Sequence, residues 1–350
     1  VATTTRTDAR GSTAALLGVA LVFVGLAASS CSAQAPPPPA EVAPKKRPPI
    51  TSGKLLDYAP AAGLRWLVVG SPSALAADAD LAKNIALVIP PERMDGFAHS
   101  TGIRLDRLTT GAIAGYDLGT LYLGEIEGPE AASVRSLFSA KLVEGGVAKE
   151  REGLHRIVGT TASGGVRALV TVEDRYVAFV SGDATLARIV EAYAENRLRS
   201  PTVLHGAGLR ELPPRPSDSL AAFLAPGPFS GEWGAAASGI VASAHAVRID
   251  ARKGPQGRLR ATLTLTGDWS EVDGALDALE RAWAELRDSP TGRLLGFDNA
   301  TGVEAKLDLQ HLTLSADLSV GPLARGLRDA TSADVREILE LDGTSPSTNP

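Results

Sequence analysis

Only one cysteine occurs in the 350 residues. No disulfide can form within the chain, and a zinc site built on paired cysteines is excluded. Aromatic residues make up only 5% of the chain, which is thin for a carbohydrate-stacking face or an aromatic cage. Basic excess is missing too: 35 Lys and Arg stand against 40 Asp and Glu, for a net charge of −5. That balance argues against nucleic acid as a partner. The five histidines, His99, His155, His205, His245 and His311, are scattered. None has a second histidine or cysteine at metal-ligand spacing. No cofactor is implied: the glycines of Ser163-Gly164-Gly165 lie between two strand-like runs and read as a hairpin turn, not a phosphate cradle. Gly145-Gly146 reads as a helix stop. A Gly-x-Ser-x-Gly elbow is absent. The nearest approach, Gly70-Ser71-Pro72-Ser73-Ala74, has no final glycine and carries a proline, so Ser71 or Ser73 is read as a helix cap.

Long apolar runs are also scarce, and the one that stands out is Ala14 to Ala28. Arg6 and Arg10 precede it, and Ser29, Ser30 and Cys31 follow. A basic start, an apolar stretch of this length and small residues after it form an export signal. The run is Ala- and Gly-rich and shorter than the ~20 residues that a membrane span requires.

Ala28-Ser29-Ser30-Cys31 resembles the lipobox that ends the signal of bacterial lipoproteins, with Ala28 where leucine is usual. The resemblance covers about the first thirty residues. It implies cleavage between Ser30 and Cys31, a diacylglycerol on the Cys31 thiol and acylation of the new amine. Ser32 stands where inner-membrane members often carry aspartate, so the resemblance favours the outer membrane. Two or three acyl chains at about 0.8 kcal/mol per buried CH₂ make a lasting anchor, whereas one does not. Loss of Arg6, Asp8 and Arg10 with residues 1–30 moves the net charge from −5 to −6.

Residues 31–53 are read as the lipidated cysteine and a proline-rich tether. Four consecutive prolines and Pro44, Pro48 and Pro49 forbid helix and ladder bonding. At ~3.1 Å per residue such a tether reaches about 50 Å. Lys45, Lys46 and Arg47 read as solvated linker charges. The remaining divisions are a first module over 54–200, a linker over 201–217, a second module over 218–342 and a disordered tail over 343–350. The linker assignment rests on Pro201 and on Pro213-Pro214-Arg215-Pro216.

Within the modules a unit recurs: a strand, a Gly/Pro or polar break, then an amphipathic helix. Leu121 to Ile126 breaks at Gly128-Pro129 before a helix with Val134, Leu137, Phe138 and Leu142 on one face. Arg175 to Val180 breaks at Gly182-Asp183 before Leu186, Ile189, Val190 and Tyr193. Arg260 to Leu265 breaks at Gly267-Asp268 before Trp269, Val272, Leu276, Leu279, Trp283 and Leu286. Leu312 to Val320 breaks at Gly321-Pro322. Val303, Ala305, Leu307 and Leu309 alternate with polar residues and face Leu312, Leu314, Ala316 and Leu318 in a hairpin with one wet side. A second hairpin turns at Glu173-Asp174. The fold class is therefore α+β: two related modules of antiparallel sheet with amphipathic helices packed on one face. This layout weakly resembles an uncharacterised family of bacterial envelope proteins with repeated strand–helix units, over Gly119–Phe138, Leu154–Tyr193 and Leu259–Thr331. That resemblance implies no chemistry.

Few residues suggest a site. Glu125 and Glu127 share a strand face and read as solvated strand-end acids, although paired carboxylates can act as acid and base. Trp269 and Trp283 share a helix stripe, where core packing competes with lining a ligand cavity. The sequence is read as a non-catalytic, membrane-anchored envelope lipoprotein, a binding or structural module that meets the membrane through its lipid and could meet an envelope protein partner. The alternatives are a carrier of lipid or another apolar ligand, which needs an apolar cavity between sheet and helices, and an enzyme with a dispersed site.

Overall fold

The computed structural model describes Ile50 and residues 53–339, apart from 207, 232–235 and 273. The expected export signal, with Ser30 and Cys31, the body of the expected tether and the expected tail over 343–350 lie outside the described residues. Strands follow the alternation: β1 (Leu64–Gly70), β2 (Gly111–Tyr116), β3 (Gly119–Glu125), β4 (Leu142–Arg151), β5 (Leu154–Thr161) and β6 (Val166–Val172). Then come β7 (Tyr176–Gly182), β8 (Ser219–Pro226), β9 (Ala244–Lys253), β10 (Leu259–Gly267), β11 (Thr301–Asp308) and β12 (His311–Leu318). The helices are α1 (Pro72–Ala77), α2 (Ala79–Val88), α3 (Pro91–Thr101), α4 (Gly128–Ala140), α5 (Thr185–Ala194), α6 (Ala275–Asp288), α7 (Pro290–Leu294) and α8 (Val320–Leu339).

The architecture is α+β, and the strands make one 12-stranded antiparallel sheet in the order β11-β12-β10-β9-β8-β1-β2-β3-β7-β6-β5-β4. Each expected module contributes one half, and the halves meet where β1 pairs with β8, Leu67 opposite Leu224. From that seam outward both halves read alike: first, second and third strand, then the last strand of that half, β7 or β12. The segment expected as a linker, 201–217, is packed rather than free. Val203 and Leu209 join the core of the first half. Arg248 donates to the Pro213 carbonyl. Ser219 Oγ donates to Asp250 Oδ1 at 3.2 Å, and the Arg215 guanidinium donates to Ser219 Oγ at 2.9 Å. Its prolines stop regular structure, but its apolar residues still find the sheet.

Period-2 alternation lets the first half carry a helix on each face. Val170 and Val172 of β6 pack with Leu186, Ala187 and Val190 of α5. Leu169, their neighbour in the chain, packs with Ala131 and Val134 of α4. In the second half, Leu265, Leu312 and Leu314 pack under Ala275 and Leu279 of α6. Each fully buried leucine stabilises the fold by about 1.5–3 kcal/mol.

The hairpin turn predicted at Glu173-Asp174 is there, with both residues at positive φ, 53° and 50°. Three expectations change. Gly145-Gly146 does not stop a helix; it lies inside β4, where the register with β5 slips between Glu144 and Val147. Trp269 is not on the helix stripe, because Trp269–Glu271 is a separate 3-10 turn and α6 starts at Ala275. In the β11–β12 hairpin Leu312, Leu314, Ala316 and Leu318 are buried, but Val303 and Leu307 remain exposed. An edge strand has a neighbour on one side only, so half of its apolar face is left uncovered.

Candidate functional site

Trp269 and Trp283 both lie in the second core. Trp269 is buried and its indole N–H donates to the Gln310 carbonyl at 3.1 Å. Trp283 packs against Phe297, ring centroids 5.7 Å apart, with its Nε1 buried and unpartnered. Glu125 and Glu127 have separate roles. Glu125 accepts from Arg175 at 2.6 and 2.8 Å, whereas Glu127 begins α4 and its N–H reaches Glu130 at 3.4 Å. Between the sheet and α5, around Tyr58, Leu123, Val170 and Val190, there is no space for a water-sized sphere.

The densest chemistry among the described residues is a charged cluster between α5 and the sheet edge. Its origin is local. Lys149 and Arg151 are two apart on β4, so both project from one face, and Arg156 sits opposite Lys149 on β5. This is the face of Leu154, which packs in the α5 core. The β4–β5 turn is Glu152-Gly153, with Gly153 at φ 73°. On α5, Glu191 and Glu195 are one turn apart and point at the same strands. The helix ends at Ala194 with Glu195 as its cap, and Asn196 follows at φ 52°, where Asn196 N donates to Tyr193 O and Arg197 N to Ala192 O. This left-handed close turns the chain back and brings Arg197 over the two glutamates.

The resulting contacts use both carboxylates fully. Glu191 meets Lys149 through Oε1, Arg156 Nε at 2.7 Å through Oε2, and Arg197 at 3.5 Å. Glu195 meets Arg151 at 3.1 Å, Lys149 at 3.6 Å, and Arg197. The glutamate side chains are 3% and 5% exposed, while Lys149 and Arg197 keep 37% and 50%. Burial pulls the Glu195 carboxyl upward, but hydrogen bonds from Arg197 and Arg151 and the charge of Lys149 outweigh it, so its pKa lies below the usual carboxylate range. Burial, and then the nearby charge of Arg188, lower the pKa of Arg156. The signal for this cluster was visible as Glu191-x-x-x-Glu195 at the edge of an apolar stripe and as Lys149-x-Arg151, but nothing local joins residues 42 apart.

A second feature is an open cleft of about 370 Å³ lined by Glu211, His245, Thr266, Gly267, Asp268 and Gln310. His245 Nδ1 lies 3.2 Å from Glu211 Oε2. The Thr266 hydroxyl lies 3.2 Å from His311 Nδ1. Two of the scattered histidines thus reach one region. The carboxylate-backed histidine is His245, yet the cleft hydroxyl is held by His311, so the relay that activates a hydroxyl nucleophile is not assembled. Among the described residues no group of three or more His, Cys, Asp and Glu is placed to hold a metal ion. Nor is any described helix long and apolar enough to cross a membrane. No family profile matches the chain, and neither the curated proteins nor the solved structures include a match.

Proposed function

We propose that the chain is an exported bacterial lipoprotein, held in the envelope through Cys31, whose folded part is a non-catalytic binding or structural module. The observation that carries this reading is the position of the single cysteine, directly after Ser29 and Ser30 and just past the Ala14–Ala28 run. Ser32 supports the outer membrane over the inner. The close packing between α5 and the sheet supports a module that binds at its surface over a carrier that encloses an apolar ligand. The continuous 12-stranded sheet suits a scaffold that presents surface chemistry to an envelope partner.

The test is to express the full chain and Cys31→Ser in a bacterial host supplied with radiolabelled palmitate. The native chain should take up label and sediment with membranes, and Cys31→Ser should do neither. A Cys31→Ser variant that sediments as the native chain does, or a native chain without label, contradicts the anchor.

A further inference from the structure

We propose that the cationic patch over the C-terminal half of α5 and the face of β4 and β5 binds a phosphate group. The inference deepens the binding role proposed above and rests on it, while the chemistry comes from the cluster alone.

The charge count is the first argument. Lys149, Arg151, Arg156 and Arg197 surround Glu191 and Glu195, and Arg188 adds its charge beside Arg156. Glu150 belongs to the opposite face, where it lies 3.4 Å from His155. Asp183 interacts in turn with Arg188, and the patch still keeps a positive excess, five cations against three acids, in a chain whose net charge is −5. Donor count is the second. Lys149 and Arg197, the two cations whose side chains stay largely in water, carry more N–H donors than the glutamate oxygens they meet.

Geometry supplies the third argument. The buried glutamates hold the cations from beneath, while the Arg197 and Lys149 side chains remain 50% and 37% exposed. Arginine forks fixed from one side are prepared to bind phosphate oxygens from the other, with little rotamer entropy left to lose. β4 is the last strand of the sheet, so no further strand stands beyond it. The network overfills its acids and leaves cations in water.

A phosphate of this kind can come from an anionic lipid headgroup or from a soluble phosphorylated compound, and one experiment separates them. The full chain in non-ionic detergent is titrated by calorimetry with inorganic pyrophosphate, with short-chain phosphatidylglycerol and with short-chain phosphatidylcholine. Pyrophosphate or phosphatidylglycerol should bind, with affinity that falls as salt rises. Tighter binding of the lipid identifies a headgroup site, and tighter binding of pyrophosphate a soluble ligand. Arg197→Gln removes one exposed cation and leaves both glutamates paired, so its melting should stay near native. It should weaken binding about tenfold, the loss of one charge-assisted bond. Arg188→Gln should weaken it by less and leave melting unchanged. Absence of binding at millimolar ligand, or binding that neither variant weakens, overturns the proposal and leaves the cluster as a structural network that blunts the sheet edge. Detergent removes any contribution of Cys31 to the readout, so failure here leaves the anchor intact, and failure of palmitate labelling leaves this site intact.

Discussion

Replacing Glu191 with alanine probes the charged cluster most sharply. The side chain is 3% exposed and meets Lys149, Arg156 and Arg197. Removing one partner of a buried ion pair costs about 3–5 kcal/mol, because the other charge stays buried and unpaired. That full figure does not apply to Lys149 and Arg197, which retain 37% and 50% of their side-chain surface in water and can be solvated there. Arg156 is the cation left stranded, at 15% exposure. The expected loss is therefore about 2–3 kcal/mol. In a folded unit of roughly 290 residues that lowers Tm by about 3–5 °C. Thermal unfolding followed by circular dichroism, with a urea series for the free energy, reads the effect. Glu191→Gln keeps the shape and removes the charge, so it should lose a similar amount. A Tm within about 2 °C of native for Glu191→Ala would refute the reasoning. So would a Glu191→Gln variant that melts as the native chain does, since packing and not charge would then explain the alanine result.

Other substitutions test other parts of the structure. Leu279 is 2% exposed beneath α6, so Leu279→Asp, which buries an unpaired charge, should unfold the second half, visible as loss of the cooperative melt. Trp283→Phe removes an N–H that has no partner. It should change stability by no more than about 1 kcal/mol in urea unfolding, whereas a large loss would mean that the indole N–H has an unseen partner. Acid should weaken the fold. The Glu195 pKa is depressed in the folded state, so its stabilisation is present above the ordinary carboxylate pKa and is lost as pH falls through the lowered one. A pH series of Tm should fall from about pH 5 downward, and less steeply in Glu195→Gln.

The parts of the fold that were legible in the sequence are those set by neighbours in the chain. The β6–β7 hairpin follows from two apolar runs and a short polar turn, and Glu173 and Asp174 adopt the left-handed conformations such a turn requires. The apolar stripe of α5 followed from its spacing, and Leu186, Val190 and Tyr193 are buried as that spacing requires. Contacts far apart in sequence were not legible. The β1–β8 seam joins residues about 150 apart through backbone bonds that any strand can make. The exposure of Val303 and Leu307 depends on β11 lying last in the sheet, which alternation alone does not encode. Trp269 fitted a helical spacing, but a 3-10 turn and Gly274, at φ 67°, separate it from α6. The charged cluster was hidden for the same reason as the seam: Lys149 and Glu191 meet only after the sheet edge and α5 have packed.

The most direct measurement of the central claim is peptide mass mapping of the full chain purified from bacterial membranes. The account predicts that the first peptide begins at Cys31 and carries a diacylglycerol on its sulfur, with no peptide from residues 1–30. A free Cys31 thiol in a peptide that still contains Ala28-Ser29-Ser30 would contradict it.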